Sequence, residues 1–294
     1  MQEYFCILLL ILELLPLKTS YMICFPNAKI NLGLNIVEKR TDGFHNIESI
    51  FYPVKGLNDI LEVIENVDST ENIFTSSGIE IPGNADDNLI MKALKLIAEQ
   101  RTIPAVKVHL HKHIPIGAGL GGGSADASFF IQLMNEKFKL GFSIDEMLNL
   151  ASQLGSDCAF FIKNETAYAT EKGQLLEHLN FELGNVVLVL IFSPLHISTK
   201  EAYAGVIPAA SSIKLTELIH EPIEHWKTQM KNDFELSVFN KFSELEQTKK
   251  WLYDQGAVYA SMTGTGSTVF GIFKQNEFDE TIMKRSKFEH YYIS

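Results

Sequence analysis

The sequence predicts an α+β protein of two domains. Three observations carry that expectation. Helical and strand periods follow one another along the chain, with no internal repeat and no low-complexity run. Val186 to Phe192 is a continuous apolar run of the kind found in a buried strand. The 294 residues amount to roughly two domains of typical size.

The elements are read in chain order. Met22 to Val37 reads as a strand, a turn at Pro26-Asn27 and a second strand, and Val54 to Asn66 as a further strand region. Apolar residues at Leu89, Ile90, Ala93, Leu94, Ile97 and Ala98 predict a helix over Asp87–Arg101. Val106, Val108 and Leu110 alternate with Lys107, His109 and His111, predicting a half-buried strand. Ser124 to Phe138 reads as a helix. Ser143-Ile144-Asp145-Glu146 is a capping box for a helix running to Leu154, with Gly155 to end it. Phe242, Leu245 and Leu252 suggest a helix ended by Gly256, and Val258–Met262 and Thr268–Phe273 two strands around a small-residue loop. A composition break near residue 180 suggests the domain boundary.

Residues 1–21 stand apart. Phe5 to Leu17 is apolar except for Glu13, but thirteen residues rise only about 20 Å as a helix, short of a bilayer core. The segment before Phe5 has no Lys or Arg, and no small-residue cleavage site follows Leu17, so a signal peptide is disfavoured. Met22 opens what reads as the domain proper; the extension is left without a role.

Composition narrows the function. Hydrophobic residues at 46% and charged residues at 21% exclude a disordered chain. The net charge of -11 disfavours a phosphodiester partner, so nucleic acid is not expected. The cysteines, Cys6, Cys24 and Cys158, are odd in number and lack metal-ligand spacing, which argues against disulfides and a cysteine zinc site and for a reducing cytoplasm.

The most informative stretch is Pro115-Ile116-Gly117-Ala118-Gly119-Leu120-Gly121-Gly122-Gly123-Ser124-Ala125. Glycines let main-chain N–H groups approach an anion closely, and the N-terminus of the following helix adds free donors and a partial positive charge. A Walker A loop requires Gly-Lys-Ser/Thr, and here Ser124 follows Gly123 directly, without the lysine. Gly117, Gly119 and Gly122 satisfy the dinucleotide fingerprint, a weak pattern that leaves an oxidoreductase as one alternative. A glycine turn without ligand is another.

This stretch resembles the P-x-x-x-G-L-G-G-S/G-S-x-A motif of the GHMP kinases. Pro26-Asn27-Ala28-Lys29-Ile30-Asn31-Leu32 looks like the family's first motif, and Met262-Thr263-Gly264-Thr265-Gly266-Ser267 like its third. Further segments are similar to the branch whose substrate is a methylerythritol carried on cytidine diphosphate. They are Arg40-Thr41-Asp42-Gly43-Phe44-His45, Asp87-Asn88-Leu89-Ile90, Leu154 to Phe161, Ser198 to Tyr203, and Asn232-Asp233-Phe234-Glu235. The resemblance runs from Met22 to about Phe273. It implies a two-domain GHMP fold with the active site in the interdomain cleft. Residues 22–180 would be the ATP-binding N-terminal domain and 181–294 the substrate domain. The implied activity is ATP- and Mg2+-dependent phosphorylation of the substrate's 2-hydroxyl, in the non-mevalonate route to isoprenoid precursors. Another GHMP small-molecule kinase, or a non-catalytic nucleotide-binding module, are the alternatives.

The resemblance also assigns residues. Asp157 falls where the family has its catalytic aspartate, and would orient the acceptor hydroxyl and take its proton. Lys29 would pair with it; a snorkelling strand lysine is the plainer reading. ATP would be wrapped by Pro115, Gly117, Gly119, Leu120, Gly121, Gly122, Gly123, Ser124 and Ala125, with Asn88, Leu89 and Lys112 around the adenosine. Lys112 equally reads as an exposed strand lysine. Ser124 either caps the helix or contacts phosphate or magnesium. Asp126 is read as structural, its charge favouring the helix N-terminus. On the substrate side stand Asn31 as amide donor, His45 at the cytosine edge, Phe44 and Tyr203 as faces of a base sandwich, and Gly264 and Gly266 near the methylerythritol end. Phe44 stands where many members have Tyr.

Overall fold

A computed structural model describes residues 22–284, 286 and 288–294; the expectations for the extension and Cys6 lie outside these described residues. The first half runs β1 (Met22–Cys24), β2 (Asn27–Lys39), β3 (His45–Asn58), β4 (Ile60–Glu65), β5 (Ile73–Gly78), α1 (Leu89–Gln100), β6 (Val106–Lys112), α2 (Gly122–Phe138), α3 (Ile144–Leu154), α4 (Cys158–Lys163), β7 (Ala167–Thr170) and β8 (Leu175–His178). The second runs β9 (Val186–Ile191), α5 (Thr199–Tyr203), α6 (Leu215–Leu218), α7 (Ile223–Gln229), α8 (Phe234–Lys241), α9 (Ser243–Asp254), β10 (Tyr259–Met262), β11 (Val269–Lys274), α10 (Thr281–Lys284) and β12 (Tyr291–Ile293).

Three four-stranded sheets result, ordered β1-β4-β6-β5, β2-β3-β7-β8 and β10-β11-β9-β12. In the first, β5 runs parallel to β6, with α1 in the connection between them. Its inner face packs Leu61, Val63, Val108 and Leu110 against α1 and α2. The third sheet is antiparallel and packs against α8 and α9 through Val189, Ile191, Val238 and Leu252. Leucine or isoleucine truncation at such positions typically costs about 2–5 kcal/mol.

β2 is the strand that organises the site. All of its residues from Asn27 to Ile36 are buried, although it is an edge strand of its sheet. Its outer edge is satisfied by loops: Lys29 N–H donates to Leu120 O at 2.9 Å, and Leu34 N–H to Lys231 O at 2.9 Å. Covering an edge in this way removes the unpaired backbone row that would otherwise invite another strand. Ile30 and Leu32 join Leu188, Leu190 and Phe270 of the third sheet in one core cluster.

Local sequence explains the helix ends, with two corrections. Asn88 caps α1 by accepting from Ile90 N–H at 2.9 Å, so the helix begins after Asp87. The Ser143–Glu146 capping box is formed, but Gly155 follows α3 in extended backbone, not as a left-handed cap. The glycine-rich helix α2 begins at Gly122 with Gly121 as its N-cap, so Ser124 lies in the first turn and is not the cap. β3 begins at His45, well before the strand expected from Val54, because Asp42-Gly43 makes a tight turn that returns the chain along β2. Arg40 N–H closes that turn on Phe44 O at 2.8 Å. No helix among the described residues is long and apolar enough to cross a membrane.

Candidate active site

The glycine run forms one wall of a cleft of about 410 Å³. Pro115, Gly117 and Gly119 to Ser124 line it, and Asn88, Leu89 and Lys112 stand with them. Ala125 does not; it is fully buried and packs with Phe51, Phe160 and Phe161. Gly119 and Gly121 adopt left-handed backbone, at φ 78° and 70°. A Cβ on Gly119 would collide with the carbonyl oxygen of Thr263, which brings the glycine loop and the third loop into backbone contact. The first intrahelical bond of α2 is Ala125 N–H to Gly121 O at 2.9 Å, leaving the amides before it for an anion.

Lys112 lines this cleft but is not an exposed strand lysine. It is 3% exposed and sits against Asp59 and Asp126, with Asp126 Oδ2 at 2.8 Å. Asp59 also accepts the N–H groups of His113 at 2.6 Å and Ile114 at 2.8 Å. Asp126 Oδ1 is buried without a hydrogen-bond partner. Burial, together with the neighbouring Asp59, pushes the Asp126 carboxyl up to about 8 against the pull of Lys112. Two carboxyl groups face this one ammonium, so Lys112 adds no free cation to the cleft.

Lys29 and Asp157 stand next to this cleft and to a second cavity: Lys29 packs against Gly121 of the cleft, and Ser156, the neighbour of Asp157 in the chain, lines the second cavity. Lys29 is 3% exposed on β2, with Nζ 3.4 Å from Asp157 Oδ2, 2.7 Å from Asn31 Oδ1 and 4.8 Å from the centre of the Phe51 ring. Asp157 stands at the start of α4, partly exposed. Lys29 is therefore a buried, partnered ammonium and not a snorkelling strand lysine. Asn31 is itself held: its amide donates to Ser49 Oγ at 2.8 Å, and its N–H to Thr263 Oγ1 at 3.0 Å.

The second cavity, about 830 Å³, is lined by Phe44, His45, Ser156 and Tyr203 and by Lys39, Lys172 and Lys200, with no carboxylate among its lining residues. In a chain of net charge -11 that is a local reversal of sign. Tyr203 stacks on His45, rings 4.5 Å apart and 19° from parallel, with Phe234 against its edge. Phe44 is 59% exposed and lies under the Lys172 ammonium, 4.9 Å from the ring centre. The face of Tyr203 expected opposite Phe44 is thus directed at His45. Burial, and to a lesser extent Lys39, lowers the His45 pKa, keeping the ring neutral. Gly264 and Gly266 lie in the loop between β10 and β11, Gly264 close against Gly119.

Sequence reading missed the three lysines of the second cavity as a set, and Thr263 and Ser49 as supports of Asn31. Lysines distant in sequence, at 39, 172 and 200, give no local signal until the turn at 171–174 and α5 meet the β2–β3 hairpin.

The GHMP kinases N terminal domain matches residues 88–165, and the GHMP kinases C terminal domain residues 215–284. The chain is 48% identical over 253 residues to a 4-diphosphocytidyl-2-C-methyl-D-erythritol kinase of Cytophaga hutchinsonii, covering 86% of this chain and 92% of that one. It is 46% identical over 257 residues to the enzyme of that name from Bacteroides fragilis, covering 87% and 93%. Among solved structures, a 4-(cytidine 5'-diphospho)-2C-methyl-D-erythritol kinase superposes with a TM-score of 0.77 at 25% identity, covering 92% of this chain and 98% of that one. A homoserine kinase from Cytophaga hutchinsonii, at 15% identity and a TM-score of 0.63, shares the fold. The chain belongs to the GHMP kinase family and, within it, to the 4-diphosphocytidyl-2-C-methyl-D-erythritol kinases.

Proposed function

We infer that this protein transfers the γ-phosphoryl group of ATP to the 2-hydroxyl of 4-diphosphocytidyl-2-C-methyl-D-erythritol. The observation that carries the reading is the Lys29–Asp157 pair, 3.4 Å apart, with Gly121 of the glycine-lined cleft against Lys29 and Ser156 of the acid-free cavity next to Asp157 in the chain. Phosphoryl transfer is mostly positioning and charge stabilisation. The cleft supplies main-chain donors and a helix N-terminus for the triphosphate. The cavity supplies aromatic rings for a base and three ammonium groups for a diphosphate.

Asp157 orients the acceptor hydroxyl and accepts its proton as the oxygen attacks phosphorus. Lys29, fixed by Asn31 and Asp157, places its charge where the attacking oxygen and the transferred group meet. Gly264 and Gly266 let the third loop close over the methylerythritol end. Neutral His45, one ring nitrogen a donor and the other an acceptor, faces the base edge, and a cytoplasmic location goes with this chemistry.

Magnesium fits a lean site. Among the described residues no three His, Cys, Asp or Glu side chains cluster as a metal cage, and the side-chain oxygens lining the cleft are those of Asn84, Asp87, Asn88 and Ser124, with Asp126 buried against Lys112. That set suits an ion that arrives on the nucleotide phosphates and takes Ser124 as its protein ligand. When bound, it neutralises phosphate charge.

The test is turnover with ATP and Mg2+ against a panel of alcohols. Phosphorylation of the cytidine substrate, with none of mevalonate, homoserine or galactose, is expected. Turnover of another alcohol in its place would overturn the substrate assignment.

A further inference from the structure

The segment Asn232-Asp233-Phe234-Glu235 resembles a family segment, yet no part of the chemistry above uses it. Its side chains form a bracket. Asn232 is 2% exposed, and its amide donates to Met262 O and to Gly264 O, both at 2.8 Å. These are the carbonyls of the two residues that flank Thr263. Asp233 Oδ2 accepts the N–H of Ile36 on β2 at 2.8 Å. Glu235 Oε1 accepts the N–H of Met262 at 2.9 Å and the hydroxyl of Ser261 at 3.0 Å, and its other oxygen takes Lys249 at 2.6 Å. The main chain adds Leu34 N–H to Lys231 O and Asp233 N–H to Leu34 O, at 2.9 and 2.8 Å.

The bracket therefore grips both β2 and the third loop, and Thr263 joins them at one oxygen. Thr263 Oγ1 accepts from Asn31 N–H at 3.0 Å and lies 3.1 Å from Asn31 Oδ1, the atom that takes the Lys29 ammonium. We propose that Asn232 is a positioning residue for phosphoryl transfer: by holding the carbonyls of Met262 and Gly264 it fixes Thr263, and through Thr263 and Asn31 it fixes Lys29 against Asp157. The two amide hydrogens of Asn232 suit this role because each carbonyl requires a donor. A carboxylate there would face two carbonyl oxygens with no hydrogen to offer. Asn232 Oδ1 meanwhile accepts from Phe234 N–H at 3.0 Å, supporting the start of α8.

The proposal rests on the kinase reading, and the test keeps the two apart. Asn232→Ser retains an oxygen for the start of α8 and loses the double clamp; Asn232→Asp retains the acceptor and reverses the clamp. Both variants should lose at least 30-fold in kcat with the cytidine substrate, while the KM for ATP stays within twofold. Amide hydrogen exchange at residues 263–267 should quicken in both. Thr263→Val should reproduce the loss and Thr263→Ser should restore near-parental kcat. The Asn232→Ser, Thr263→Val double variant should be no worse than either single change, since both cut the same chain of contacts. The proposal is overturned if kcat stays within threefold of the parent. It is overturned equally if both KM values rise while the melting temperature falls, or if the two changes add. Should an Asn232 variant fail to fold, the Thr263 pair decides: equal rates for Val and Ser refute the relay. A parent that leaves the cytidine substrate untouched refutes the kinase reading instead, and unchanged exchange at 263–267 in the variants then refutes the clamp on its own.

Discussion

Lys112, Asp59 and Asp126 show how a residue's neighbours decide its role. A lysine beside a glycine loop invites a phosphate-binding role, but two buried carboxylates occupy this one. Replacing Lys112 by Met strands their charge and should cost about 3–5 kcal/mol in denaturant unfolding. Asp126 holds its proton in the folded state, with its pKa up near 8, whereas the unfolded chain releases it near pH 4. The stability this proton contributes is complete below about pH 4 and is lost as pH rises through about 8. Asp126→Asn mimics the protonated acid at every pH. It should therefore gain about 2–3 kcal/mol on the parent between pH 6 and 9, and equal pH slopes for the two proteins would refute a protonated Asp126. His45 shifts the other way, below its ordinary 6.5. The KM for the cytidine substrate should be level above pH 6.5 and rise as the pH falls through that lowered value, because protonation removes the ring's acceptor. A KM that stays flat down to pH 5 would take His45 away from the base.

At the scale of the element, glycines of one loop differ in what they require. Gly119 has left-handed backbone and touches the Thr263 carbonyl, so Gly119→Ala combines a backbone cost of about 1–2 kcal/mol with a collision and should abolish turnover. Gly123 lies in the first turn of α2, and a Cβ there comes no closer than 4.0 Å to Leu89. Gly123→Ala should stabilise the protein by about 0.5–1 kcal/mol in thermal or denaturant unfolding. Periods and caps in the sequence located α1, α3, β6 and β9 closely, because each carries its own apolar face or cap. The short strands β5, β7 and β8 and helices α5 to α8 were not legible. Most of β5 is exposed, and the others are four to eight residues long, held by contacts remote in sequence.

For the whole molecule, the motifs were legible before the site was. Lys29, Asp157 and the glycine run stood out as residues, but which side chain faces which depends on β2 being clasped by loops 120 and 231–233. The acid-free cavity likewise exists only after three distant lysines converge on an acidic protein. It predicts a particular electrostatic signature. The KM for the cytidine substrate should rise with ionic strength as screening shortens to about 8 Å near 0.15 M salt. Lys172→Met should raise that KM about tenfold and flatten its salt dependence, with the KM for ATP unmoved. An unchanged salt dependence would place the diphosphate elsewhere.

The most direct measurement is phosphorus NMR of the protein and its Asp157→Asn variant with ATP, Mg2+ and 4-diphosphocytidyl-2-C-methyl-D-erythritol. A new phosphomonoester resonance with the parent, at least 100-fold slower to appear with the variant while ATP still binds both, is the predicted result. A resonance that grows equally fast with Asp157→Asn would contradict the account, since the carboxylate beside Lys29 would then have no part in the transfer.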